Sequence, residues 1–260
     1  WLFVIFYGYT MYRPEIMDSS RYVTKLKELY NTPLNWDVFV ANFYSEESST
    51  VDIYQPLLTY ILSMVTDNGN ILFAVFGILF GYFYSRNIWL LLDYSKNQRM
   101  NRVMIAIIVT FSCVIGFWNL NGVRMWTAAH MFFYGAFLLL VNGNRKGLII
   151  AVLSILVHFS FILPVGVLVF FYFIKLPWRI LYFFFIASFS ITTLNLESVR
   201  SRLESIAPDF LLPRVKSYTS DEYVEVISDL NASGNWYISY YNTSLSWYLM
   251  ILFSFIYFSI

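Results

Sequence analysis

Residues 71–92 read ILFAVFGILFGYFYSRNIWLLL, and this run decides the fold class. It carries a single charge, Arg86. As a helix rising ~1.5 Å per residue it is long enough to cross a ~30 Å hydrocarbon core. Working outward, the short basic loop 93–102 leads into an apolar run from Val103 to Leu120. Asn121 and Gly122 break that run, and Val123 to Val141 forms the next one. A turn at 142–146 carries Arg145 and Lys146, and Gly147 to Ile174 is apolar again. Leu181 to Leu194 makes a further span with its flanks, and Leu245 to Ile260 is apolar to its last residue. Trp1 to Tyr12 reads as the tail of a span, so both ends look like cuts through spans and the sequence reads as a fragment.

The composition agrees with this reading. Of 260 residues 58% are apolar and 21% aromatic, while only 13% are charged, against ~25% in soluble domains. That excludes disorder. A single cysteine, Cys113, excludes a disulfide scaffold, and a net charge of +1 gives no basic surface for nucleic acid. The expected fold is an all-α integral membrane protein. It is a polytopic transmembrane helix bundle with broken or re-entrant helices and two large extracytoplasmic loops. One membrane-embedded domain covers 1–260. Residues 13–70 form an outer loop, 71–194 a helical core, 195–244 a second outer loop and 245–260 the start of the last visible span.

Charge sets the orientation. The loops 93–102, 142–146 and 175–179 are basic, with Asp93 as their one acid, and basic short loops face the cytoplasm. The segments 13–70 and 195–244 then lie outside and carry most of the acids. The net +1 is thus two opposed surfaces cancelling. Ile53 to Val65 is too short to cross and reads as a re-entrant or interfacial helix. Gly147 to Ile174 exceeds one span, and Pro164 interrupts it. A hairpin of two short helices with its apex at 158–164 keeps every basic loop on one side. One long tilted helix would not. Broken helices at membrane depth are tolerated where they line a protein cavity.

Few residues could carry chemistry. Arg124 stands at the outer end of a span, just after the Asn121-Gly122 break, where helix amides and a guanidinium together make an anion site. A snorkelling arginine is the plainer alternative. His158 lies deep in an apolar run and can act as a general base or hydrogen-bond a sugar or phosphate. A histidine bonded to a helix carbonyl is the structural alternative. His130 lies six residues beyond Arg124, on a different helical face. Asp18, Arg21, Tyr22 and Lys25 recur at helical spacing on one face of an outer-loop helix, with Val23, Leu26 and Tyr30 on another. That helix is a solvated surface element or a wall of a polar-substrate site. Asp52 and Tyr54, ahead of Gln55-Pro56, open the re-entrant stretch with polar groups that could contact a sugar. In the second outer segment Arg214, Lys216 and Tyr218 combine phosphate-binding charge with an aromatic platform. Two histidines and one cysteine without paired carboxylates give no zinc-ligand spacing.

The stretch NLNGVRMWTAA at 119–129, then a span, a short basic turn and HFSFILP at 158–164, resembles the EpsG family of bacterial membrane proteins. These are similar to the Wzy polymerases of O-antigen, capsule and exopolysaccharide assembly. Asp18 with Tyr22 resembles the family's early loop, and Met125-Trp126-Thr127 is bulkier than the residues expected after the Arg. The resemblance implies a metal-independent glycosyltransferase of the bacterial cytoplasmic membrane with its active site facing the exterior. It would move a glycan from undecaprenyl pyrophosphate to the end of another carrier-linked repeat unit. It implies Arg124, Arg21, Tyr22, Arg214 and Tyr218 for pyrophosphate and sugar binding, and His158 or Asp18 to activate the acceptor. The implied partners are undecaprenyl-pyrophosphate-linked oligosaccharides and membrane lipid, together with a chain-length regulator and a flippase. No cofactor, metal or nucleic acid is implied. Two other classes fit the composition: a membrane O-acyltransferase that modifies glycans, with its Arg and His opening inward, and a lipid-linked glycan transporter.

Overall fold

A computed structural model describes residues 1–14, 17–44, 52–96, 102–114 and 116–174, with scattered positions beyond, namely 177, 180, 182–183, 244, 247–252 and 254–255. The chain divides into two compact units, Trp1–Lys175 and Leu176–Ile260. In the second unit the described residues include a hydroxyl pair, Tyr182 with Ser254, at 2.9 Å. The second outer segment, with Arg214 and Tyr218, lies outside the described residues.

Regular structure in the described part of the first unit is all helical: α1 (Leu2–Thr10), α2 (Asp18–Asn31), α3 (Trp36–Tyr44), α4 (Tyr54–Ser63), α5 (Gly69–Lys96), α6 (Arg102–Val114), α7 (Val123–Leu140), α8 (Lys146–Val157) and α9 (Ile162–Ile174). Among the described residues two helices are long and apolar enough to cross a membrane: α5, and α7 together with the 3-10 turn Phe117–Gly122 that leads into it. α8 and α9 are shorter apolar helices. The apolar run expected from Val103 to Leu120 breaks earlier than its Asn-Gly pair suggests. α6 ends at Val114, and the extended Gly116 opens the 3-10 turn.

The core forms on the apolar face of α5. Leu72, Phe73, Phe76 and Phe80 are fully buried against Leu120 and Val123, with Tyr22 and Leu26 of α2 and Val4 of α1. Close helix approach depends on missing side chains, as it does in membrane bundles. A Cβ at Gly77 or Gly81 would press on Ile5 or Val4 of α1, and one at Gly135 of α7 would sit 2.5 Å from the Gly147 carbonyl of α8.

The apolar stretch 147–174 is broken inside the expected apex 158–164, at His158 rather than at Pro164. His158 is extended (φ −150, ψ 117) and a short 3-10 turn, Phe159–Phe161, follows it. Pro164 sits in the first turn of α9, where its missing N–H has no helical partner to lose. Leu168 of α9 packs in one cluster with Leu139 and Ala151, and Tyr172 lies against it. A straight continuation of α8 could not reach those residues, so the chain folds back at His158. The face of α9 turned from this cluster exposes Leu163, Val167, Phe170 and Phe173, and α8 exposes Ile149, Val152, Leu153 and Leu156.

Candidate functional site

The break at His158 leaves backbone groups that neither helix can pair. A distant segment supplies them. The Ile53 N–H donates to the Leu156 carbonyl at 3.0 Å, and the Phe159 N–H donates to Asp52 Oδ1 at 2.7 Å. Residues 52–53 therefore fill both sides of the break, and α4 starts directly after them. Tyr54 packs against Phe76 of α5, which fixes the start of α4 to the core.

The carboxylate of Asp52 gathers the candidate residues. Arg124 Nη1 donates to Asp52 Oδ2 at 3.0 Å, and His158 Nδ1 lies 3.0 Å from the same oxygen. Arg124 Nε donates to the Tyr22 hydroxyl at 2.9 Å, and its guanidinium lies over the Tyr22 ring. The Asp52 side chain is 1% exposed, Arg124 22% and His158 18%. The carboxylate is thus sealed, while the cation and the imidazole each keep an accessible edge. α2 supplies Tyr22, the segment before α4 supplies Asp52, α7 supplies Arg124 in its first turn, and the α8–α9 break supplies His158.

The electrostatics follow from these contacts. Burial alone would raise the Asp52 carboxyl. The His158 hydrogen bond, the Phe159 amide and the Arg124 charge outweigh it and hold the carboxyl below its ordinary value. Burial pushes the Tyr22 hydroxyl up to about 12, against the pull of Arg124. Asp52 is therefore an ionised acceptor and Tyr22 a neutral hydroxyl. Having accepted from Arg124 Nε, that hydroxyl has its own proton to donate.

The sequence-predicted residues divide into three groups. Arg124, His158 and Tyr22 come together. Asp18 and Arg21 do not join them: they stand on the exposed side of α2, 52% and 77% accessible, and pair loosely with each other at 3.7 Å. The expected shared face of Asp18, Arg21, Tyr22 and Lys25 is corrected accordingly. Tyr22 turns inward with Ser19, Leu26 and Leu29, and the charged residues turn out. Arg214 and Tyr218 lie outside the described residues. Asp52 is the residue to which sequence reasoning gave no central role. Its signal was one acid at the mouth of an apolar stretch too short to cross.

His130 is buried elsewhere, between rings of Phe80, Tyr84 and Phe111. Asn87 of α5 donates to its carbonyl at 2.9 Å and lies 3.3 Å from its Nδ1. Farther along α2 and α4, a cavity of about 340 Å³ is lined by Leu29, Tyr30, Pro33, Leu34, Tyr60, Ser63 and Met64. Tyr60 lies six residues into α4, ~9 Å along the helix from its start beside Asp52.

Among the described residues no group of three or more His, Cys, Asp or Glu stands where it could hold a metal ion. No family model, curated protein or solved structure matches the chain.

Proposed function

We propose that this chain is a multi-pass membrane glycosyltransferase that polymerises lipid-linked glycan repeat units at the outer face of the bacterial cytoplasmic membrane. One observation carries the reading: a cation and an imidazole, Arg124 and His158, are held against one buried carboxylate, and each keeps an open edge. Glycosyl transfer from a pyrophosphate carrier needs this pair of groups. The leaving pyrophosphate gathers negative charge in the transition state and requires a fixed donor. Two N–H groups of Arg124 are engaged by Tyr22 and Asp52, and the remaining Nη hydrogens can grip phosphoryl oxygens. The Tyr22 O–H is a second donor beside them. The acceptor sugar needs a base for its hydroxyl, and His158 is the group beside the cation that can take a proton.

The acceptor oxygen forms a bond to the anomeric carbon and gives its proton to His158. The bond from that carbon to the pyrophosphate oxygen breaks, and the electron pair leaves with the lipid pyrophosphate. The cavity between α2 and α4 has the volume of a small-molecule site and tyrosines in its wall, which suits a sugar of the growing chain. The exposed apolar faces of α8 and α9 suit lipid, since a water-soluble surface rarely carries such patches.

The test is the glycan ladder of a deletion strain complemented with wild-type or variant protein. Wild type should restore long chains, and Arg124→Ala should leave single repeat units. Long chains from Arg124→Ala would refute the site. Single-cysteine labelling at positions 21 and 145, in a Cys113→Ser background, checks orientation. Position 21 should label from outside and 145 from inside. The reverse pattern would turn the site toward the cytoplasm and favour an acyltransferase drawing its donor from there.

A further inference from the structure

We propose that Asp52 is a positioning residue: it fixes His158 as the Nδ1–H tautomer and so leaves Nε2 as the atom that takes the acceptor's proton. The role given to Nε2 rests on the glycosyl-transfer reading above, whereas the tautomer stands on the geometry alone.

An ionised carboxylate only accepts. Asp52 Oδ1 already accepts from the Phe159 amide, and Oδ2 from Arg124 Nη1. Whatever faces Oδ2 from His158 at 3.0 Å must therefore be a donor, so Nδ1 carries the hydrogen. In the neutral ring the other nitrogen then holds the lone pair. The grip is double, because the same carboxylate holds the backbone at residue 159 and the ring at residue 158. With its backbone extended at the break and its ring tethered, His158 has little freedom to swing away. Among the described residues the charged and titratable groups around the imidazole are Asp52 ahead of α4, Tyr54 at the start of α4, which packs in one cluster with Val157 and Phe161, Arg124 on α7 and Tyr22 on α2, with Asp18 and Arg21 farther out on α2.

A purely structural role for Asp52 predicts something different. As a cap for the break it needs one acceptor oxygen, and asparagine supplies one. With its carbonyl kept on the Phe159 N–H, Asp52→Asn puts an amide N–H₂ where Oδ2 stood, and that amide loses the Arg124 hydrogen bond as well as facing the imidazole. His158 Nδ1 must then accept, and the proton moves to Nε2. The same exchange in the serine-protease triad costs about 10⁴-fold in turnover by presenting the wrong tautomer.

The experiment is ¹⁵N NMR of histidine-labelled full-length protein in lipid nanodiscs at mildly alkaline pH. The chain has two histidines, so His158→Gln assigns the pair. Native His158 should show hydrogen on Nδ1 and none on Nε2, and Asp52→Asn should reverse this. With lipid-linked repeat units as substrate, Asp52→Asn should lower kcat by about 10²–10⁴-fold with little change in acceptor KM. Native His158 protonated on Nε2 would overturn the inference, with no need for any variant to fold. So would a folded Asp52→Asn protein with native kcat. Nδ1–H in a protein that transfers no glycan would overturn the role of Nε2 through the failure of the glycosyl-transfer reading, and the Asp52–His158 geometry would survive it.

Discussion

His158 Nδ1 lies 3.0 Å from Asp52 Oδ2 although 106 residues separate them in the chain. The contact exists because the helix break at His158 and the segment ahead of α4 complete each other's hydrogen bonds. Position 158 is thus fixed twice, by backbone pairing at Leu156 and Phe159 and by the side-chain grip. Arg124 is bound to the same oxygen, so one carboxylate joins the three side chains.

Replacing Arg124 should separate charge from geometry. Arg124→Lys keeps a cation but loses the planar fork that reaches Tyr22 and Asp52 together. It should cut polymer synthesis by about 10²-fold or more, the scale for losing one donor at a developing anion. Arg124→Ala should also destabilise the fold, because Asp52 stays buried with its main cation gone. Breaking a buried pair costs ~3–5 kcal/mol, and the partly exposed arginine puts this case at the low end. Thermal unfolding in detergent, beside the glycan ladder, measures both effects. Equal stability of Arg124→Ala and wild type would mean that the pair does not hold the site together.

The two histidines should separate by phenotype. His130 is enclosed by three aromatic rings and Asn87, away from the Asp52 cluster. His130→Ala should open a cavity, lower stability by about 2–4 kcal/mol, and leave activity per folded molecule close to native. His158→Ala should do the opposite, with a small stability loss and single-unit glycan. Activity normalised to folded protein separates the two. A normal ladder from His158→Ala with loss of function from His130→Ala would exchange their roles.

Stability should fall at both ends of the pH range for two identifiable reasons. Asp52 has a folded value below its ordinary 3.8, so its contribution is complete above that pH and is lost as pH falls through the lowered value. Tyr22 has a folded value raised from 10 to about 12, so its contribution is complete below pH 10 and is lost between pH 10 and about 12. Unfolding midpoints across pH should show both limbs. Asp52→Asn should flatten the acid limb and Tyr22→Phe the alkaline one. An alkaline limb unchanged in Tyr22→Phe would show that this hydroxyl does not carry it.

Much of this was readable from the sequence, and the exceptions share one cause. Long apolar runs report helices directly, which is why α5, α7 and the broken stretch 147–174 were visible. A lone Arg124 and a deep His158 were conspicuous because charge and imidazole are rare in such runs. Pro164 was the wrong marker for the break, since proline is harmless in a helix's first turn, and the actual break at His158 is held by residues 52–53 from far away. Tyr22 shares the spacing of Asp18, Arg21 and Lys25, yet packing against Phe76 and the hydrogen bond from Arg124 turn it inward. Asp52 has no local pattern to mark it, because its three donors lie far along the chain.

Helix packing offers a prediction free of any functional assumption. α7 and α8 approach so closely at Gly135 that an added methyl would meet the Gly147 carbonyl at 2.5 Å and the Ala151 nitrogen at 2.6 Å. Both obstacles are backbone atoms, so no side chain can rotate away, and the helices must part. The strain reaches the site, because α7 carries Arg124 at one end and α8 ends at the His158 break. Gly166 of α9 is the control: a methyl there meets nothing within 4 Å. Gly135→Ala should therefore destabilise by about 1–3 kcal/mol, the usual cost of overpacking. Gly166→Ala should stabilise by ~0.4–1 kcal/mol, because alanine loses less backbone freedom on entering a helix. Unfolding of the two variants side by side measures the contrast. Equal stabilities would mean that α7 and α8 do not pack face to face at these glycines, and the position of Arg124 relative to His158 would then need another support.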